Sequence, residues 1–189
     1  MFNVAGDARE LARRELPGTT IEVMDSQSAT PSEGMIALAA ARAAEEGRDL
    51  TAVKSVAEDV RGKVQALVLL DTIKHVYRSG RIPRFASRLG SALNIRPVLT
   101  LKGAVHFSGM VRSRAQGIER ILRMARERAG DRPVHMAVFH AYAPEEAEKL
   151  MGRVLAEFNC VDMWLSEFSP VMGYACGTGT VGMAFYAEG

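Results

Sequence analysis

The chain has 189 residues, 48% of them hydrophobic and 24% charged, with a formal net charge of +2. This balance is that of a globular protein of one large or two small domains; it excludes a disordered, highly charged chain and a global field that would gather nucleic acid. Cys160, Cys176 and four histidines form no CxxC and no metal-ligand spacing. No apolar run reaches the roughly 18 residues of a membrane span, and "MFNVAGDARELARREL" lacks a signal-peptide core. A reduced, cytoplasmic chain without a membrane span is expected.

Helical periodicity begins at once, with Val4, Ala8, Leu11, Ala12 and Glu15 on a helix that Asn3 would cap. A compact α/β domain seldom opens on a helix with no strand before it, so a piece upstream of Met1 is expected. "TTIEVMDS" (19–26) alternates as a strand and ends at Asp25-Ser26. The alanine-rich stretch 35–47 predicts a helix closed by Gly47, and 49–64 a second amphipathic helix capped by Asp49 or Thr51. "QALVLLD" (65–71) is a short buried strand, followed by a helix broken at Ser79-Gly80 and a further helical piece from Pro83.

"RPVLTLKG" (96–103) turns at Gly103 into "AVHFSGMV", which predicts a hairpin. Residues 113–130 form a long basic helix, "PVHMAVFHAY" a strand, "APEEAEKLMGRVLAEF" a helix with an acidic first turn, and "CVDMWLSEF" another strand. The chain closes on the strand "TVGMAFYAE". Strand and helix alternate throughout, so the fold class is α/β, with a composition change near 63–66 as a candidate domain border.

The densest local signal is "GYACGTGTVG" (173–182), with four glycines in ten positions. Its GxG with flanking threonines suits either a backbone nest for phosphate or carboxylate, or a tight turn feeding an edge strand. It is neither a P-loop, since no lysine follows, nor a dinucleotide fingerprint. Cys176 has no histidine in a partner motif and is best read as a small buried thiol. His135 and His140, five apart on one strand, face opposite sides and cannot share a metal; His75 and His106 read as surface or hairpin residues. Arg78, Arg81, Arg84 and Arg88, then Arg112, Arg114 and the arginines of 120–128, suit an anionic or acidic partner, or a solvated helix face.

Four blocks taken in order carry more than any one motif. They are "IEVMDSQSATPSEGMIALAAARAAEEGRDL", "VLLDTIKHVYRSGRI", "LNIRPVLTLKGAVHFSGMVRSR" and "SPVMGYACGTGTVGMAF". The series resembles the signatures of the DegV family of fatty-acid-binding proteins over nearly the whole chain. Departures are Ala175, Cys176 and Thr178 in the closing loop, where that family commonly has histidine, threonine and proline. Ser79 stands for the first glycine of a "GGRI" corner, and Lys102 for an acid before Gly103. Met1 and Phe2 resemble the end of an "SGTY" turn, so the strands and helices before it would be absent.

The resemblance implies a two-domain fold: residues 1–65 the remainder of an incomplete first α/β domain, residues 66–189 a C-terminal lipid-binding domain with a mixed sheet and helices. It implies a non-enzymatic carrier that buries one long-chain fatty acid, with no other cofactor and no metal. The carrier would present the carboxylate to a fatty acid kinase. Arg81, Ile82, Gly177, Thr178 and Gly179 would sit beside the head group, with Asp25, Ser26 and Ser28 at the domain junction and Arg112 towards the kinase. Two other readings stand beside it. One is a truncated or diverged relative that self-associates, or pairs with a complementary chain, without binding lipid. The other is an enzyme acting on phosphorylated small molecules, for which no base, metal or nucleophile constellation is visible.

Overall fold

In the computed structural model, residues 2–72, 75 and 95–189 are described. Among them are six helices: α1 (Phe2–Glu15), α2 (Pro31–Glu45), α3 (Leu50–Lys63), α4 (Arg114–Ala129), α5 (Pro144–Glu157) and α6 (Pro170–Cys176). Six strands form a single sheet: β1 (Gln65–Leu69), β2 (Arg96–Lys102), β3 (Ala104–Val111), β4 (Val134–His140), β5 (Cys160–Glu167) and β6 (Val181–Ala187). Their order is β3-β2-β1-β6-β4-β5. Every pair is antiparallel except β4 with β5, which are parallel because α5 supplies the crossover that parallel neighbours require. The α/β class and the mixed sheet are as expected.

Both faces of the sheet are covered, which is why β4 is buried along its whole length. On one face α4 and α5 bring Ile121, Leu122, Leu150 and Val154 against Leu67, Met136, Met183 and Phe185. On the other, α2 and α3 bring Met35, Ile36, Ala57 and Val60 against Val68, Ala137, Phe139 and Ala184. Close approach needs glycine at two points. A Cβ on Gly117 would lie 2.4 Å from the Leu69 side chain, and one on Gly182 would lie 2.5 Å from both the Leu67 carbonyl oxygen and the Phe139 ring. Gly182 thus packs the last strand tightly.

Local signals set most helix ends. Asp49 caps α3 by accepting from the Ala52 N–H at 2.8 Å, and Ser113 caps α4 by accepting from the Gln116 N–H at 3.2 Å. Gly47, at φ 78°, and Gly130, at φ 61°, follow α2 and α4 in the left-handed region that glycine tolerates. Gly103, at φ 66°, turns the β2–β3 hairpin.

Four local expectations are corrected. Asn3 lies inside α1 and does not cap it. The stretch 19–26 is irregular: an alternating pattern needs a neighbouring ladder to become a strand, and none of the described strands lies beside it. Helix α2 starts at Pro31, four residues earlier than its alanine run suggested, because proline at the first turn removes no needed N–H. The segment before the glycine loop is helical, forming α6, so Gly173 to Cys176 belong to a helix and only Gly177 onward to a loop. The helix break at Ser79-Gly80 and the piece from Pro83 lie outside the described residues.

Candidate functional site

Helix α6 opens on Pro170 and ends where Gly177, at φ 87°, takes the left-handed conformation. The loop beyond it is stitched to the end of β4. Gly179 N–H donates to the Ala141 carbonyl at 2.8 Å, and Ala141 N–H donates to the Thr180 carbonyl at 2.9 Å. Gly177 N–H donates back to Gly173 at 2.8 Å, and the buried Thr180 hydroxyl donates to the Cys176 carbonyl at 3.1 Å. The glycines serve tight packing as well: a Cβ on Gly177 would lie 2.4 Å from the His75 ring. The loop's geometry therefore corrects the nest reading at these two residues: the Gly177 N–H closes the last turn of α6 and the Gly179 N–H is taken by Ala141. Thr178, between them, is exposed.

Below the loop a polar node fixes its height. Arg114 donates through Nη1 to the Gly179 carbonyl at 2.9 Å and through Nη2 to Asp71 Oδ1 at 2.9 Å. Arg96 donates through Nε to the same Asp71 oxygen at 3.1 Å. The sequence explains the reach: with Ser113 as cap, Arg114 is the first residue of α4, and Asp71 stands just past the end of β1. One carboxylate thus ties two arginines and, through Arg114, the glycine loop to the sheet.

Beside α6 lies an apolar cavity of about 80 Å³. Val68, Leu70, Leu99 and Leu101 form its sheet wall, Phe139 and Phe168 stack at 5.0 Å beside it, and Met172, Ala175 and Cys176 close it from α6. Thr30, which precedes α2, also lines it, with its hydroxyl donating to the Ala29 carbonyl at 2.5 Å. Ala175, at the position where the resemblance expects histidine, extends the apolar wall. Residues before α2 and residues of the closing segment therefore meet at one space. Of the closing "GMAFYA" run, Ala184 packs on this side, whereas Phe185 faces α4 and α5; strand alternation decides that.

The other expected site residues are placed as follows. Asp25 accepts from the Gln27 N–H at 3.1 Å, and the Ser26 hydroxyl donates to Glu33 at 3.0 Å while accepting from the Ser28 N–H at 3.4 Å. All three sit in the irregular segment leading to Thr30, where Asp25 bonds within the segment and Ser26 ties it to Glu33 of α2. Arg112 is exposed, and its N–H donates to the Gln116 side chain at 3.2 Å. Arg81 and Ile82 lie outside the described residues. Arg96, Asp71 and Thr30 went unnoticed from the sequence as site residues, and Arg114 was read only as part of a basic surface; the signals were "RSR" at a helix start and "LLD" at a strand end.

A second polar cluster fastens α2 to the same face of the sheet. Arg42 forks onto Asp162 at 2.5 and 3.1 Å, Asp162 meets His135 Nδ1 at 2.7 Å, and His135 Nε2 meets Glu188 at 3.1 Å. The His135 ring stacks on Tyr186 at 4.5 Å. The Arg42 hydrogen bonds, and to a lesser degree His135, hold the Asp162 carboxyl below the usual carboxylate range, and burial pushes the Cys160 thiol and the Tyr186 phenol up. Among the described residues no group of three or more His, Cys, Asp or Glu side chains converges as a metal site.

Sheet, helices and cavity together define a class: an α/β domain with an apolar slot between its sheet and a glycine-ended helix. The chain belongs to the DegV family, whose model, described as "Uncharacterised protein, DegV family", matches residues 5–188. It is 34% identical over 179 residues to a DegV domain-containing protein of Streptomyces coelicolor, covering 94% of this chain and 63% of that protein. The solved structure described as "Fatty Acid Binding of a DegV family Protein from Thermus thermophilus" matches with a TM-score of 0.82 and 32% identity, covering 95% of this chain and 65% of that one. A DegV family protein from Eubacterium eligens, loaded with heptadecanoic acid, shares the fold at a TM-score of 0.89 and 16% identity, covering 99% and 68%. The chain spans just under two thirds of the length of curated relatives that it matches.

Proposed function

We propose that this chain is the larger part of a fatty-acid carrier that shelters an acyl chain and does no bond-making chemistry itself. The observation that carries the reading is the cavity: a wall of leucine, valine, phenylalanine and methionine side chains at the place where the two polar loop segments meet. Apolar burial suffices for the tail, since each methylene contributes about 0.8 kcal/mol. The head group needs only fixation at the rim, and an unpaired buried carboxylate would be costly. In this reading Thr30, which lines the cavity, and the exposed Thr178 join Arg81, Ile82, Gly177, Gly179, Asp25, Ser26 and Ser28 as the head-group neighbourhood.

The cavity's size sets a condition. An apolar cavity of about 150 Å³ takes one benzene, so about 80 Å³ holds only a few carbons. A long chain enters only if Met172 and Phe168 swing away from the sheet. Residues 1–65 act in this reading as the remainder of a first domain, and 66–189 as the lipid-binding domain. Presentation of the carboxylate to a fatty acid kinase, with Arg112 on the contact surface, is the finer form of the proposal.

Gentle native mass spectrometry of protein from a bacterial host, with solvent extraction of the same sample, tests it. One fatty acid per chain is expected; protein that is empty by both measurements overturns the reading. The kinase step is tested separately, by phosphorylation with Arg112→Glu at unchanged lipid content. A second reading, self-association or pairing with a complementary chain, rests on α1: none of its residues is buried, and Phe2, Val4 and Leu11 are exposed. Light scattering that gives a concentration-independent monomer removes it.

A further inference from the structure

A larger concavity, of about 670 Å³, lies on the α4 side of the sheet, where the end of that helix stands off from the β2–β3 hairpin. Its cations come from three separate elements: Lys63 from α3, Lys102 from the hairpin, and Arg128 and Arg132 from the end of α4 and just beyond, with the His106 imidazole beside them. Among the described residues no acidic side chain lines it, although Gly189, which carries the terminal carboxylate of this chain, does. A helix C-terminus attracts cations, which accounts for Arg128 and Arg132 at the end of α4 and for Lys63 at the end of α3, but not for Lys102 on β2.

The arginines here are held differently from most others. Arg42, Arg96, Arg114, Arg126 and Arg153 each meet a carboxylate. Arg128 instead donates to the Gln65 side-chain oxygen at 2.5 Å. Arg132 donates to the Ala129 and Arg128 carbonyls at 2.9 and 2.6 Å. Neutral acceptors orient both guanidinium groups without cancelling their charge. Lys63 is shared with Asp59 at 2.7 Å, so it is the weakest contributor. On the wall opposite α4 the Thr100 and Ser108 hydroxyls pair at 2.7 Å, and either can turn to a ligand oxygen.

We propose that this bay binds a small ligand carrying a diphosphate. The volume falls in the range of small-molecule sites, roughly 300–1,000 Å³. Oriented arginine forks suit phosphate oxygens, lysine serves as a point charge, and cations on opposite walls suit two adjacent anionic groups better than one. Thr100 and Phe185 face the bay while Leu99 and Leu101 face the apolar cavity, so the two sites lie on opposite sides of the sheet and work independently.

Titration calorimetry of the full chain at low salt, with inorganic pyrophosphate and with ADP, tests the proposal. Saturable binding of at least one probe at a single site is expected. Lys102→Glu, on the exposed hairpin, and Arg132→Gln should each weaken it about tenfold, a loss of about 1.4 kcal/mol. Lys149→Glu, outside the bay, should leave it unchanged. ADP binding more tightly than pyrophosphate shows a nucleoside contact, and equal affinities show recognition of the phosphates alone; both support the site. No saturable binding of either probe, or affinity unaltered in Lys102→Glu, overturns it, as does binding of polyglutamate in their place. Fatty-acid content is measured in the same Lys102→Glu sample and should not change, so failure here is separable from failure of the carrier reading.

Discussion

Arg114 and Gly179, sixty-five positions apart in sequence, are joined by a 2.9 Å hydrogen bond from the guanidinium to the glycine carbonyl. The same side chain grips Asp71, so the start of α4 sets how far the glycine loop stands from the sheet. A loop with two residues at positive φ has little side chain of its own to anchor it. The anchor is supplied from elsewhere in the chain.

Arg114→Gln is therefore expected to lower unfolding stability by about 1–2 kcal/mol, since charge-assisted bonds contribute about 1.5–3 kcal/mol and partial exposure screens them. Urea midpoints check this. Combined with Asp71→Asn, the loss should fall short of the sum of the single losses by at least about 0.5 kcal/mol. Strict additivity would show that the two side chains do not act as a pair.

Gly182→Ala is expected to destabilise by at least about 1–3 kcal/mol, because the new methyl meets the Leu67 backbone oxygen, which cannot step aside. Gly152→Ala in α5 has nothing within 4 Å and should stabilise by about 0.5–1 kcal/mol. Thermal unfolding of the pair gives opposite signs if the packing is as described.

Ala175→Leu adds three carbons on the α6 wall of a cavity of about 80 Å³. Filling it should raise stability by up to about 2 kcal/mol, at about 0.8 kcal/mol per methylene. The same change should lower extractable fatty acid per chain. A stabilised variant with undiminished lipid would place the acyl chain elsewhere.

Acid stability should depend on Asp162. Its carboxyl is held low in the folded protein, first by hydrogen bonds from Arg42, so its contribution is present above the unfolded value of about 3.9. It is lost as pH falls from there through the lower folded value. Asp162→Asn should thus be less stable than the parent at neutral pH, and the gap should close at the acid end. Guanidinium melts between about pH 7 and 3 check the sign; a constant gap would contradict it.

Much of the fold was legible locally. Asp49 and Ser113 were readable as helix starts, Gly47 and Gly130 as ends, and Gly103 as a hairpin turn, since each acts through its own backbone neighbours. The stretch 19–26 misled for the converse reason: alternation states a preference for a ladder but does not supply the partner strand. Pro170 marked a helix start that the glycines downstream obscured.

The site was legible only in part. "GYACGTGTVG" drew attention to the loop, and Ala175 and Cys176 do reach the cavity. Arg112 and Arg114 were both visible as basic residues at the hairpin's end, but only the tertiary structure brings Arg114 to the glycine loop. The basic bay was not foreseen, since Lys63, Lys102 and Arg132 lie on three segments far apart in the chain.

The sequence by itself determined the α/β class, most of the elements, the Gly103 turn and the family, all of which depend on residue types at short spacings or on the order of motifs. Tertiary structure alone decided which carbonyl Arg114 meets, which side of the sheet each cavity occupies, and that the Gly179 amide is taken by Ala141. Those are relations between segments that strand order and register bring together. Local preferences carry no record of which strand will become a neighbour.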